Sequence, residues 1–125
     1  MYSVSVSRTI VAQHFLLVDD AGPEGVPHSH RFTIESTARG PELNRYGYLI
    51  DIDELREAMD DLAAFYSDRT LNDCPGFEDE NPSVERFARV FGDRLVDRLE
   101  TDGVTELRVA IDEDDVARVT HERAL

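Results

Sequence analysis

Apolar and polar residues alternate over residues 2 to 14: Tyr2, Val4, Val6, Ile10 and Ala12 stand at even positions, with Ser3, Ser5, Ser7 and Thr9 between them. A period of two predicts a half-buried strand. A second such stretch runs from about His28 to Ala38, with Phe32 and Ile34 again at even positions. The Gly40-Pro41 dipeptide punctuates the chain, and Tyr46 to Ile50 reads as extended. The period then changes. Leu55, Met59, Leu62 and Tyr66 form one apolar stripe on a helix expected to begin at Asp53. After an irregular stretch from 67 to 80, Asn81-Pro82 reads as an N-cap followed by proline at the first helical position. It would open a helix carrying Val84, Phe87, Ala88, Phe91, Leu95 and Leu99 on one side, and Gly103 ends that section. Two short strands close the chain, 106 to 112 (Leu107, Val109 and Ile111 alternating) and 116 to 121. The order ββααββ predicts an α+β domain, a four-stranded antiparallel sheet with two helices on one face. Its open edges must be covered or paired, which favours oligomerisation.

Three of the four histidines fall on these alternating faces: His14 ends the first strand, and His28-Ser29-His30 opens the second. Side chains at i and i+2 of a strand share a face, so His28 and His30 point the same way. If the two strands pair through the loop between them, His14 joins them at one spot. Each alone would read as a hydrogen-bonded histidine beside a core. Together, three neutral imidazoles with one open position are the ligand set of a catalytic zinc site, although three imidazoles suit other divalent metals too. No fourth ligand is evident in the sequence, which argues against a closed, structural metal.

Composition narrows the class. At 125 residues the chain is one domain, 1–125, large enough for a real core. The absence of a long apolar run or a signal-like opening leads us to expect a cytoplasmic protein without a membrane segment. The single Cys74 excludes an intramolecular disulfide. There are 27 acidic residues against 13 basic ones, every basic one is Arg, and the net charge is -14. Acidic residues are spread along the whole chain, which we read as adaptation to multimolar salt, where a Debye length of ~3 Å screens the self-repulsion. The same charge argues against nucleic acid as a partner, which requires a basic patch.

In order and separation, several segments resemble the 6-pyruvoyl-tetrahydropterin synthase and 6-carboxytetrahydropterin synthase family. They are His14, His28-Ser29-His30, Gly47-Tyr48-Leu49-Ile50-Asp51-Ile52-Asp53-Glu54-Leu55, Leu71-Asn72-Asp73 and Glu80-Asn81-Pro82-Ser83-Val84-Glu85. The resemblance implies a tunnelling fold in which three subunits join their sheets into a barrel. Two such trimers stack into a homohexamer with active sites at subunit interfaces. It implies zinc held by His14, His28 and His30, and a lyase acting on 7,8-dihydroneopterin triphosphate. It also implies a carboxylate near the last strands that accepts the N–H donors of the pterin ring.

The chain departs from the family pattern where protons are handled. Glu24 stands where the family's usual Cys would be, four residues before His28, and Ser67 and Asp68 replace its Asp-His pair. Asp112 aligns with the ring-anchoring Glu, followed by Glu113, Asp114 and Asp115 in place of the usual Thr or Ser. The reading we carry forward has Glu24 and Asp68 as proton-handling carboxylates beside the zinc and Asp112 as the ring anchor. Two alternatives stay open: a catalytically altered homologue that only binds a pterin or purine, and an aldolase-type variant giving 6-hydroxymethyl-dihydropterin. Arg31, Arg69 and Arg108 are the candidates for triphosphate contacts, and the sequence selects none of them.

Overall fold

The computed structural model describes residues 1–125. Its elements are β1 (Tyr2–His14), β2 (His28–Gly40), α1 (Ile52–Tyr66), α2 (Val84–Val96), β3 (Glu106–Glu113) and β4 (Ala117–Ala124), with short 3-10 turns at Gly22–Gly25 and Leu71–Asp73. The strands form one antiparallel sheet in the order β1-β2-β3-β4. Both helices pack on the same face of it, α1 against β1 and α2 against β3 and β4. This is the predicted ββααββ arrangement.

The alternation in the sequence decides which face is covered. Ile10, Ala12, Phe32, Ile34, Leu107, Val109 and Ile111 are buried against the helices, while the serines and threonines of β1 face away. Phe32 stacks edge-to-face on Phe87 of α2 (centroids 5.4 Å apart, planes at 81°), and Phe87 does the same with Tyr66 of α1 (5.1 Å, 68°). These rings lock both helices to the centre of the sheet, each buried aromatic being worth about 3–5 kcal/mol against alanine.

Three local expectations are corrected. Residues 46–50 are not extended. Asn44 accepts from the backbone N–H groups of Tyr46 and Tyr48 through its side chain, Gly47 takes a left-handed φ of 81°, and the result is a tight loop. Helix α1 begins at Ile52, capped by Asp51, whose carboxylate accepts from the Asp53 and Glu54 N–H groups. Helix α2 is capped by Ser83, which accepts from the N–H of Arg86, and not by Asn81. The side chain of Asn81 is spent elsewhere, holding the N–H of Leu17 at 2.7 Å.

Gly40, at the end of β2, marks a close approach. A Cβ there would lie 2.2 Å from the carbonyl oxygen of Gly103 and 2.6 Å from Leu49 Cδ1. The clash is with backbone, so relief requires a shift of the chain. Gly40→Ala is expected to destabilise the fold by about 1–3 kcal/mol, read as a lowered denaturation midpoint with an unchanged slope.

Candidate metal centre

The β1–β2 hairpin assembles the three histidines. In its register His14 lies directly opposite His28 and Ala12 opposite His30, so the three imidazoles occupy neighbouring positions on the helix-covered face. Ring centroids are 4.7 Å apart for His14–His28, 5.1 Å for His14–His30 and 4.8 Å for His28–His30. One nitrogen from each lies within 4.8 Å of the others, a group able to hold a metal ion. Phe32 closes the floor, its ring edge-on to both His14 and His30.

Each ring is turned by a bond at its other nitrogen. His14 Nδ1 donates to the carbonyl of Pro82 at 2.9 Å, His28 Nδ1 to the carbonyl of Val26 at 2.8 Å, and His30 Nδ1 to the carboxylate of Asp114 at 2.7 Å. Carbonyl and carboxylate oxygens only accept, so the neutral form of each ring carries its proton on Nδ1 and leaves the Nε2 lone pair free. Nε2 of His28 is buried with no hydrogen-bond partner. An orphaned buried acceptor of this kind is costly, and a metal ion at the centre of the three rings would satisfy it. The donor set therefore fits the metal that the sequence suggests.

The motifs around Asn72 and Asn81 explain how His14 is held. Asn72 accepts from the N–H of Phe15 and donates to its carbonyl. Asn81 fixes Leu17, and Pro82 receives His14. Two residue types that look like turn formers in the sequence thus clamp the strand end that carries His14.

Burial holds His14 neutral. The residue is 2% exposed, and loss of solvent pushes its imidazole pKa below the ordinary 6.5. The bond to Pro82 opposes this, and the neighbouring His28 and His30 reinforce it. A depressed histidine contributes stability that is present above the unfolded-state value and is lost as pH falls through the folded one. The metal-free protein should therefore lose stability over the pH window that opens as pH falls below the ordinary 6.5. Denaturant midpoints across that window measure the effect, and no loss there would contradict it. Metal would be lost in the same direction, because a protonated imidazole is not a ligand.

A cleft of about 190 Å³ opens beside the cluster, lined among others by His14, His30, Glu24, Asn81, Ser83, Glu85 and Glu113. Glu24, on the 3-10 turn of the β1–β2 loop, is part of this lining; the N–H of Leu16 bonds the Glu24 carbonyl at 2.8 Å and holds the turn over the site. Asp68 is not part of it. Exposed and left-handed (φ 60°), it runs beside the outer edge of β1, its N–H bonded to the Val11 carbonyl. Asp112 lies on the opposite face of the sheet, where Arg118 holds its carboxylate at 2.8 and 3.1 Å. Its neighbour Glu113 faces the cleft, with a carboxylate oxygen 3.8 Å from His30 Nε2. One residue along a strand reverses the face, and the register that pairs Phe32 with Glu113 brings Glu113 to the site.

None of the three candidate arginines lines the cleft. Arg31 pairs with Asp115, Arg69 stacks on Phe65, and Arg108 lies on the face away from the helices. Cys74 is buried in the core, and burial pushes its thiol pKa up, the opposite of an activated nucleophile. His121, on β4 opposite Val109, is away from the cluster.

A sequence model described as 6-pyruvoyl tetrahydropterin synthase matches residues 3–124. The chain belongs to this family. It is 28% identical over 106 residues to the 6-carboxy-5,6,7,8-tetrahydropterin synthase of Bacillus subtilis, an alignment spanning 80% of this chain and 70% of that one. Its fold is that of 6-pyruvoyltetrahydropterin synthase from Plasmodium vivax (TM-score 0.81, 16% identity, 99% of this chain and 98% of that one). It is equally that of the Caenorhabditis elegans protein (0.78, 19%, 99% and 98%). The P. vivax protein was solved in forms altered at a catalytic glutamate. The four-stranded sheet with two helices is thus the tunnelling fold of the tetrahydropterin synthases, and no helix of the chain is long and apolar enough to cross a membrane.

Proposed function

We propose that the chain is a zinc-dependent lyase acting on 7,8-dihydroneopterin triphosphate. The observation that carries this reading is the set of three Nε2 atoms aimed at one point beside an acidic cleft. When bound there by His14, His28 and His30, a zinc ion would polarise the side-chain hydroxyls of the substrate and acidify the adjacent C–H bonds.

The chain's own groups supply the rest. Glu24 stands on a turn over the cleft, placed to accept a proton from a side-chain carbon of the substrate. Glu113 takes the ring-anchoring role that the sequence alignment gave to Asp112, because it and not Asp112 faces the cleft. Phe32 keeps water from the floor. The catalytic glutamate in the P. vivax relative supports a carboxylate as base here. Asp68, on the β1 edge, has no part in the chemistry of its own cleft.

At about 190 Å³ the cleft is smaller than the roughly 300–1,000 Å³ of sites that enclose a small ligand. The substrate therefore extends beyond it, onto a surface completed by neighbouring copies in the trimers or stacked trimers of the family. The exposed carboxylates are suited to multimolar salt, so the assay belongs there. Zinc-loaded protein in multimolar potassium chloride, given 7,8-dihydroneopterin triphosphate, should yield a new pterin whose mass identifies the product. A folded, zinc-loaded protein that leaves the substrate unchanged would overturn the reading in favour of a binding-only homologue.

A further inference from the structure

We propose that Asp114 is a positioning residue for His30, and that the β3–β4 turn is therefore a working part of the metal centre. The inference rests on the metal reading above and goes beyond it to a residue outside the ligand set. Asp114 sits in the turn with φ 49°, a left-handed conformation that L residues other than Gly, Asn and Asp rarely adopt. Three bonds tie it back to β2. One carboxylate oxygen accepts from His30 Nδ1 at 2.7 Å, the other accepts from the Arg31 N–H at 2.9 Å, and the Asp114 N–H donates to the Arg31 carbonyl at 2.8 Å. Both carboxylate oxygens are thus engaged, and the side chain has one orientation.

The other two histidines are turned by backbone carbonyls, so His30 alone has an ionisable side chain behind it. A carboxylate behind a metal-binding imidazole fixes its tautomer, makes it a stronger donor, and is commonly worth 10- to 100-fold in metal affinity. Glu113, the last residue of β3, immediately precedes Asp114. A single short segment consequently sets both the direction of His30 Nε2 and the carboxylate 3.8 Å from it. A change in the turn would disturb ligand and cleft together.

Two variants separate positioning from folding. Asp114→Gly removes the carboxylate while keeping a residue at ease with positive φ. Asp114→Asn keeps an acceptor and tolerates the turn. In the metal-free parent, nitrogen chemical shifts of His30 should report one tautomer, with the proton on Nδ1; in the Gly variant they should report a mixture. Zinc affinity, measured by competition with a chromophoric chelator, should fall roughly 10- to 100-fold in the Gly variant and less in the Asn variant. The cobalt-substituted Asn variant should keep the parent visible spectrum. A Gly variant with a single parent-like tautomer and zinc affinity within twofold of the parent would overturn the proposal. Failure of the parent to bind zinc at all would instead overturn the metal reading, and the tautomer measurement distinguishes the two.

Discussion

Replacing His28 or His30 with alanine is expected to abolish stoichiometric zinc while leaving the fold in place. In the proposed site each residue supplies one of three protein ligands, and two imidazoles would not hold the ion against water and chelators. Neither ring belongs to the packed core, which is built from Phe32, Tyr66, Phe87 and the aliphatic residues around them. The bonds lost are those to the Val26 carbonyl and the Asp114 carboxylate, both at the rim. His14→Ala is the less clean variant. It would strand the Pro82 carbonyl beside a buried site, at about 1–3 kcal/mol. Metal analysis after dialysis, with a thermal melt of each variant, checks the expectation. Parent-like zinc content in either His28 or His30 variant would show that the ion, if present, sits elsewhere.

Glu24→Gln should lower turnover by about a hundredfold or more, the span for removing a positioned general base. The amide keeps size and hydrogen bonding but accepts no proton. The main chain of Glu24 already holds the loop through Leu16, so the substitution leaves that contact alone. Substrate affinity should change far less than the rate, since the loss falls on the proton-transfer step. Single-turnover kinetics on zinc-loaded protein measures this. An unaffected rate would return Glu24 to the status of a surface acid and turn attention to Glu113 and Glu85, the other carboxylates of the cleft.

The fold and the three-histidine cluster were legible in the sequence for the same reason. A strand buried on one face writes its pairing into a period of two, and His14, His28 and His30 fall in phase with Ile10, Ala12, Phe32 and Ile34. What was hidden depended on register or on side chains acting at a distance. Asp112 and Glu113 are adjacent acids at a strand end, and only the pairing of Phe32 with Glu113 tells which one meets the cluster. Asn81 and Ser83 are both good caps; the choice falls to Ser83 because Asn81 is taken by Leu17, a contact between segments far apart in the chain. Asp114 could not be singled out among Glu113, Asp114 and Asp115 without the left-handed turn that folds it back onto His30. Asp68 was placed beside the metal by alignment, whereas the backbone carries it along the β1 edge, away from its own cleft.

The measurement that bears most directly on the central claim is a titration of metal-free protein with zinc, following turnover of 7,8-dihydroneopterin triphosphate in high salt. We expect activity to rise linearly and to break at one zinc per chain, with His30→Ala flat throughout. Activity that is full without metal, or indifferent to His30, would contradict a metal-centred enzyme on this hairpin.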